Sequence, residues 1–157
     1  LQALTLYIEL EQLRFDQSFE YKINVAEEVE PMRAQLPPMM LQPYVENAIW
    51  HGLLHRAEPG GRLLINISLT GKQHMSITIE DNGVGRKASD ELKSRQRNMH
   101  KQSHGIQITE ERLERVNALY QLDARATIED LVSRTGEPSG TRVVLTLKYQ
   151  QHENHSN

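Results

Sequence analysis

Two stretches of the chain alternate apolar and polar residues at every second position. Leu63, Ile65, Ile67 and Leu69 form the first, Thr70-Gly71-Lys72 interrupts, and Met75, Ile77 and Ile79 carry the alternation on to Asp81. This period predicts two antiparallel strands with one buried face. Elsewhere the spacing is helical. Leu1, Leu4, Ile8, Glu11 and Phe15 recur at three and four, with Leu6, Leu10 and Leu13 as an adjacent stripe, and predict a helix over 1–20 with a broad apolar face. Ile23 and Val25 predict a brief strand, and the acidic run to Pro31 a loop. Pro37-Pro38 suits the entry to a second helix, with Pro43 near its start and Pro59-Gly60-Gly61 beyond its end near Leu54. Residues 86–103 show no apolar period and hold six Lys or Arg against Asp90 and Glu91, which predicts a mobile basic loop. Ile106, Leu113, Val116 and Tyr120 predict a helix from Gly105 to about 120. Thr127-Ile128-Glu129 and residues 142–147 predict strands on either side of a Gly-, Pro- and Ser-rich turn, and the polar residues 149–157 a disordered tail. Hairpins with helices over one face predict an α/β (α+β) two-layer sandwich.

Composition narrows the functions open to such a fold. The length of 157 residues favours one domain. A net charge of -3 offers no general attraction to nucleic acid, so no direct nucleic-acid partner is expected. The chain has no cysteine, which removes disulfides, thiolate zinc sites and thiol nucleophiles together. No apolar run reaches the length of a membrane span. The first residue is Leu1, within a helical pattern, and the chain is expected to be part of a longer protein.

The candidate chemistry lies in residues 40–52 and in Asp81-Asn82-Gly83-Val84-Gly85. The first places Glu46, Asn47 and His51 on a polar side of the second helix. Asn47 suits Mg²⁺, which takes few protein oxygens and fills its shell with water and substrate phosphates. Glu46 is turned about 100° from it and could hold a metal-bound water or take a proton from an attacking group. His51 either closes the pocket or simply packs, and Trp50 reads as core. Asp81 could accept a hydrogen bond from the exocyclic amine of adenine, with Gly83 and Gly85 letting backbone approach the base. Asn-Gly and Asp-Gly pairs also signal hairpins, but Arg86-Lys87-Ala88-Ser89-Asp90 does not read as a returning strand. His104-Gly105-Ile106 opens a helix whose N-terminal N–H groups suit phosphate, and Gly140-Thr141 opens the last strand. Walker-type loops, Gly-x-Gly-x-x-Gly and Ser/Thr/Tyr protein-kinase strings are missing, and His51 and His55, four apart, lack the Glu after the first His that a zinc-protease motif requires.

One polar helix and three glycine turns in this order resemble the N, G1, G2 and G3 boxes of the GHKL ATPase superfamily. Leu41-Gln42-Pro43-Tyr44-Val45-Glu46-Asn47-Ala48-Ile49-Trp50-His51-Gly52 is similar to a narrower group, the LytS/YehU-type sensor histidine kinases, as is Tyr7-Ile8-Glu9-Leu10-Glu11-Gln12-Leu13-Arg14-Phe15 before it. The resemblance spans about residues 1–148. It implies a Bergerat fold with ATP and Mg²⁺ under a lid at 86–104, and three regions: the end of a dimerisation or linker helix (1–20), the ATP-binding domain (21–148) and a tail (149–157). Glu46 and Asn47 would serve metal and phosphate, and His51 would lie near the nucleotide. Asp81 would bind adenine beside Gly83 and Gly85. Gly105 and Ile106 would reach the phosphates, and Thr141 the base. The implied activity is transfer of the γ-phosphoryl of ATP to a histidine on an upstream domain, then to a response regulator. The implied setting is a homodimer, with this domain on the cytoplasmic side of an inner-membrane protein. Three departures stand out. No His-Phe-Leu-Phe-Asn string is present, the G2 region reads Gly105-Ile106-Gln107 without a second glycine, and Trp50 stands where many histidine kinases carry lysine. A nucleotide-dependent switch module and a Bergerat-fold serine kinase or ATPase are the alternative readings.

Overall fold

The computed structural model describes residues 1–29, 36–37, 39–71, 73–96 and 104–148; the side chains of residues 90, 92–96 and 104–108 lie outside that description. Five strands, β1 (Phe19–Val25), β2 (Gly61–Thr70), β3 (His74–Asp81), β4 (Arg125–Val132) and β5 (Pro138–Lys148), form one sheet in the order β1-β2-β3-β5-β4. β1 runs parallel to β2 and every other neighbour is antiparallel, so the sheet is mixed. Helices α1 (Gln2–Arg14), α2 (Gln42–Asn47), α3 (Gly85–Gln96) and α4 (His104–Tyr120) complete the described elements.

The alternation read from the sequence decides which sheet face is covered. Leu63, Ile65 and Ile67 of β2, Met75, Ile77 and Ile79 of β3, and Leu145 and Leu147 of β5 are all buried on one face, in a single cluster with Val45, Ile49 and Leu53. Those last three recur every four residues along one helical rod, in which α2 continues through a π turn (Ala48–Gly52) and a 3-10 turn (Leu53–His55). On the other face polar rows cross the strands. Arg142 of β5 donates to Glu80 of β3 at 2.9 Å and to Glu129 of β4 at 3.4 Å. This is the two-layer α/β sandwich expected from the hairpins.

Four local expectations change. The first helix ends at Arg14 rather than running to residue 20, because Asp16 (φ 49°) and Gln17 (φ 55°) turn left-handed and feed the chain into β1. Aspartate tolerates that region better than most residues. β1 consequently starts at Phe19, well before Ile23. β4 and β5 are longer than their apolar cores suggested, since charged residues pair across their outer face. The largest correction concerns the basic loop predicted over 86–103, within the lid implied at 86–104. Residues 85–96 are helix α3, and only 97–103 fall outside the described residues. α3 is anchored by Arg86, whose Nε and Nη2 donate to the two oxygens of Asp130, both at 2.7 Å, and by buried Ser89. Those hydrogen bonds hold the Asp130 carboxyl below its usual range. Trp50, read as core, is half-buried and packs against the core cluster's edge. The polar tail, Pro31, Pro38 and Lys72 of the predicted turns lie outside the described residues.

Ile77 is fully buried on the middle strand of the sheet. Ile77→Ala is expected to cost about 2–5 kcal/mol of unfolding free energy, measured by denaturant titration.

Candidate functional site

The end of β3 carries a buried carboxylate. Asp81 is 5% exposed, and its Cα pairs with that of Thr141 across the β3–β5 ladder. The N–H of Gly83 donates to Asp81 Oδ1 at 2.8 Å, and the Thr141 N–H bonds the same carboxylate. Burial pushes its pKa up to about 7, the two N–H donors pull it down, and the nearby Glu80 charge adds to the rise. A carboxylate held this way has paid-for polarity on one side only, and an amine donor would restore ionisation.

Backbone closes around this group because side chains are missing there. A Cβ at Gly52 would stand 2.6 Å from Asp81 Oδ1, one at Gly83 would run into the Gly52 backbone, and one at Gly140 into the Asp81 carbonyl oxygen. Val84 N–H bonds the Gly52 carbonyl at 3.3 Å, which ties the turn after β3 to the helical rod. Gly85 starts α3 at φ +78° beside Pro138 and Gly140. Asn82 faces the other way. Its Oδ1 accepts from Arg62 N at 2.6 Å, its Nδ2 donates to Gly60 O at 3.0 Å, and Arg56 donates to its carbonyl oxygen. The G1 turn is therefore fixed on both flanks.

Asp81, Gly83, Gly85 and Thr141 are thus brought together, and the π turn delivers His51 beside Gly52. π turns are rare and concentrate at functional sites. Asn47, half-buried, ends α2 one stripe away from Glu46. Glu46 sits apart from the aspartate cluster. It accepts from Gln42 Nε2 at 2.9 Å and lines a cavity of about 310 Å³ between α2 and α4 with Thr109 and Arg112. Gly105 and Ile106 fall in the first turn of α4, but their surroundings lie outside the described residues. Sequence reasoning passed over Gly52 and Gly140 as site residues. The only available signal was the adjacency of Gly52 to His51 and of Gly140 to Thr141. Among the described residues no three His, Asp or Glu side chains group as a metal site.

Residues 36–151 match the family described as histidine kinase-, DNA gyrase B-, and HSP90-like ATPase. The chain belongs to this ATPase family. It is 39% identical over 85 residues to the sensor protein LytS of Oceanobacillus iheyensis, which covers 54% of this chain and 14% of that protein. The histidine kinase domain of a blue-light activated histidine kinase from Erythrobacter litoralis superposes with a TM-score of 0.55 at 15% identity, over 87% of this chain and 55% of that one. Full-length ShkA in complex with AMPPNP gives a TM-score of 0.53 at 14% identity, over 90% of this chain and 28% of that one. The chain spans between 14% and 29% of the length of the first curated relatives it matches. Family membership supports ATP as the nucleotide, and these likenesses show the GHKL fold. Among the described residues no helix is long and apolar enough to cross a membrane.

Two outcomes follow for Asp81. Its folded pKa of about 7 lies above the ordinary 3.8, so folding favours the protonated form and the chain loses stability as pH rises from about 4 to about 7. The full penalty is on the order of 4 kcal/mol. Asp81→Asn is therefore expected to unfold at a higher temperature than wild type at pH 8, while its adenosine binding is lost. Wild-type adenosine affinity is expected to fall with a midpoint near 7 as pH is lowered, measured by calorimetry with a ligand that has no phosphate to titrate. Gly83→Ala, which must displace the Gly52 backbone, is expected to weaken ATP binding more than tenfold and lower the melting temperature.

Proposed function

We propose that this chain is the ATP-binding catalytic domain of a two-component sensor histidine kinase. The observation that carries the reading is the buried Asp81 carboxylate, against which Gly52 packs and to which the Gly83 N–H donates, with Gly140 close against the Asp81 main chain. That enclosure leaves a carboxylate acceptor for the exocyclic amine of adenine, and guanine, which offers a carbonyl there, would be rejected. Thr141 stands beside the base, and His51 near the nucleotide. Gly83 and Gly85 shape the base pocket. Gly105 and Ile106, in the first turn of α4, would offer N–H groups and the positive helix end to the phosphates.

Asn47 would give Mg²⁺ one amide oxygen, and the cation supplies charge neutralisation on the phosphate oxygens when bound. In the transfer the bond from Pγ to the ADP oxygen breaks as a bond to an imidazole nitrogen forms, and ADP leaves. Glu46 would take the imidazole proton, a role supported by its opening to the α2–α4 cavity and by Gln42 engaging one of its oxygens. The acceptor histidine belongs to an upstream domain, and a response regulator aspartate is the next recipient. Helix α1 would then be the end of a linker helix, the chain from β1 to residue 148 the ATP-binding domain, and 149–157 a tail. The outward stripe of Leu6, Leu10 and Leu13, each at least 60% exposed, supports pairing of this helix in a homodimer. The domain would work on the cytoplasmic side of an inner-membrane protein.

Calorimetric titration of ATP with and without Mg²⁺ tests the binding half. Asn47→Ala is expected to lose the magnesium dependence. Adding a fragment that bears the upstream histidine tests the transfer half. Labelled ATP should yield an acid-labile product, and Glu46→Gln should slow it at least tenfold while ATP affinity holds. An acid-stable product would replace this reading with a serine kinase.

A further inference from the structure

Trp50 is held by side chains at and near the first helix. The guanidinium of Arg14, at the end of α1, lies 4.8 Å from the Trp50 ring centroid and 5.5 Å from that of Phe15. Phe15 meets Trp50 edge-on, with centroids 5.1 Å apart at 88°. Tyr7, a further α1 residue, shares a hydrogen bond with Trp50 and lies near the charges of Glu11, Glu46 and Arg14. Glu11 is buried, with Oε1 4.0 Å from Arg14 and with Oε2 lacking a hydrogen-bond partner among the described residues. Two side chains of α1, Tyr7 and Arg14, and Phe15 just past its end therefore grip a single residue of the N-box rod, and they do so beside a carboxylate that undocking would rehydrate.

The gripped residue lies in the π turn that also carries Gly52. Two residues along a helix point to roughly opposite sides, at about 100° per residue. Trp50 thus faces α1 while Gly52 presses against Asp81, and the Gly52 carbonyl accepts from Val84 in the G1 turn. A Cβ-less contact of this kind has no slack, because any shift of the turn changes how Asp81 is enclosed.

We propose that Trp50 is a positioning residue for the adenine site, through which the docking of α1 sets the closeness of Gly52 to Asp81 and hence the affinity for adenine nucleotides. The proposal rests on the reading of Asp81 as the adenine acceptor. Trp50 touches no nucleotide in it; its effect passes through the π turn. Because coupling between sites is reciprocal, adenine binding must also alter the surroundings of Trp50.

Trp50 is the only tryptophan of the chain, so its emission reports this contact alone. ATP and adenosine are titrated into wild type, Arg14→Ala, Arg14→Lys and Phe15→Leu while Trp50 emission and calorimetric heat are followed. Arg14 is 62% exposed, so its truncation empties no core. The expected result is an emission change on nucleotide binding in wild type. Arg14→Ala should bind both ligands weaker by a common factor of about five or more, with partial recovery in Arg14→Lys. A common factor locates the effect at the base, where a general loosening would weaken ATP and adenosine unequally. Wild-type affinity in both Arg14→Ala and Phe15→Leu overturns the coupling alone. Failure of folded wild type to bind either ligand overturns the nucleotide reading and the coupling with it.

Discussion

A buried carboxylate enclosed by backbone is the constraint on which the rest of this structure turns. Asp81 sits at the end of β3 with its oxygens met by the N–H groups of Gly83 and Thr141, and three glycines stand where any side chain would collide. An unpaired charge in such a place is costly, which is why the group leans toward its protonated form. The sheet accepts that cost because β3 lies in the middle, between β2 and β5, where hydrogen bonding on both edges holds the strand end in register.

The N-box rod answers the same constraint from the helical layer. Its Val45, Ile49 and Leu53 stripe anchors it to the sheet core, which leaves its remaining stripes for chemistry. One carries Asn47 and His51, another Glu46 and Trp50, and the π turn brings Gly52 onto the aspartate. The rod thereby joins four things in fourteen residues: the core, the aspartate cluster, the α2–α4 cavity and the α1 clamp. The proposed nucleotide site and the α1 contact thus share one helical element.

How legible this was in the sequence depended on whether a feature is local. The β2–β3 hairpin could be read because its apolar period is two and its turn carries glycine. The rod could be read from its capping prolines and periodicity. Helix α3 could not, since its stability comes from Arg86 pairing with Asp130, 44 residues away, and from small residues rather than an apolar stripe. The end of α1 was invisible for a similar reason: two left-handed residues, Asp16 and Gln17, carry no glycine or proline to announce them. In the site, Asp81, Gly83 and Thr141 were named from their motif and stand together. Gly52 and Gly140 were missed because their necessity lies in what they approach in space. The separation of Glu46 from the aspartate cluster likewise follows from a 100° turn whose consequence only the packed structure displays.

The most direct test of this account is a carbon-13 NMR titration of the Asp81 carboxyl against pH, with and without bound ATP. The account predicts a midpoint near 7 in the free chain, set by burial, and a clear downward move when the adenine amine donates to it. A midpoint near 4 in the free chain, or one that ATP leaves in place, would contradict it.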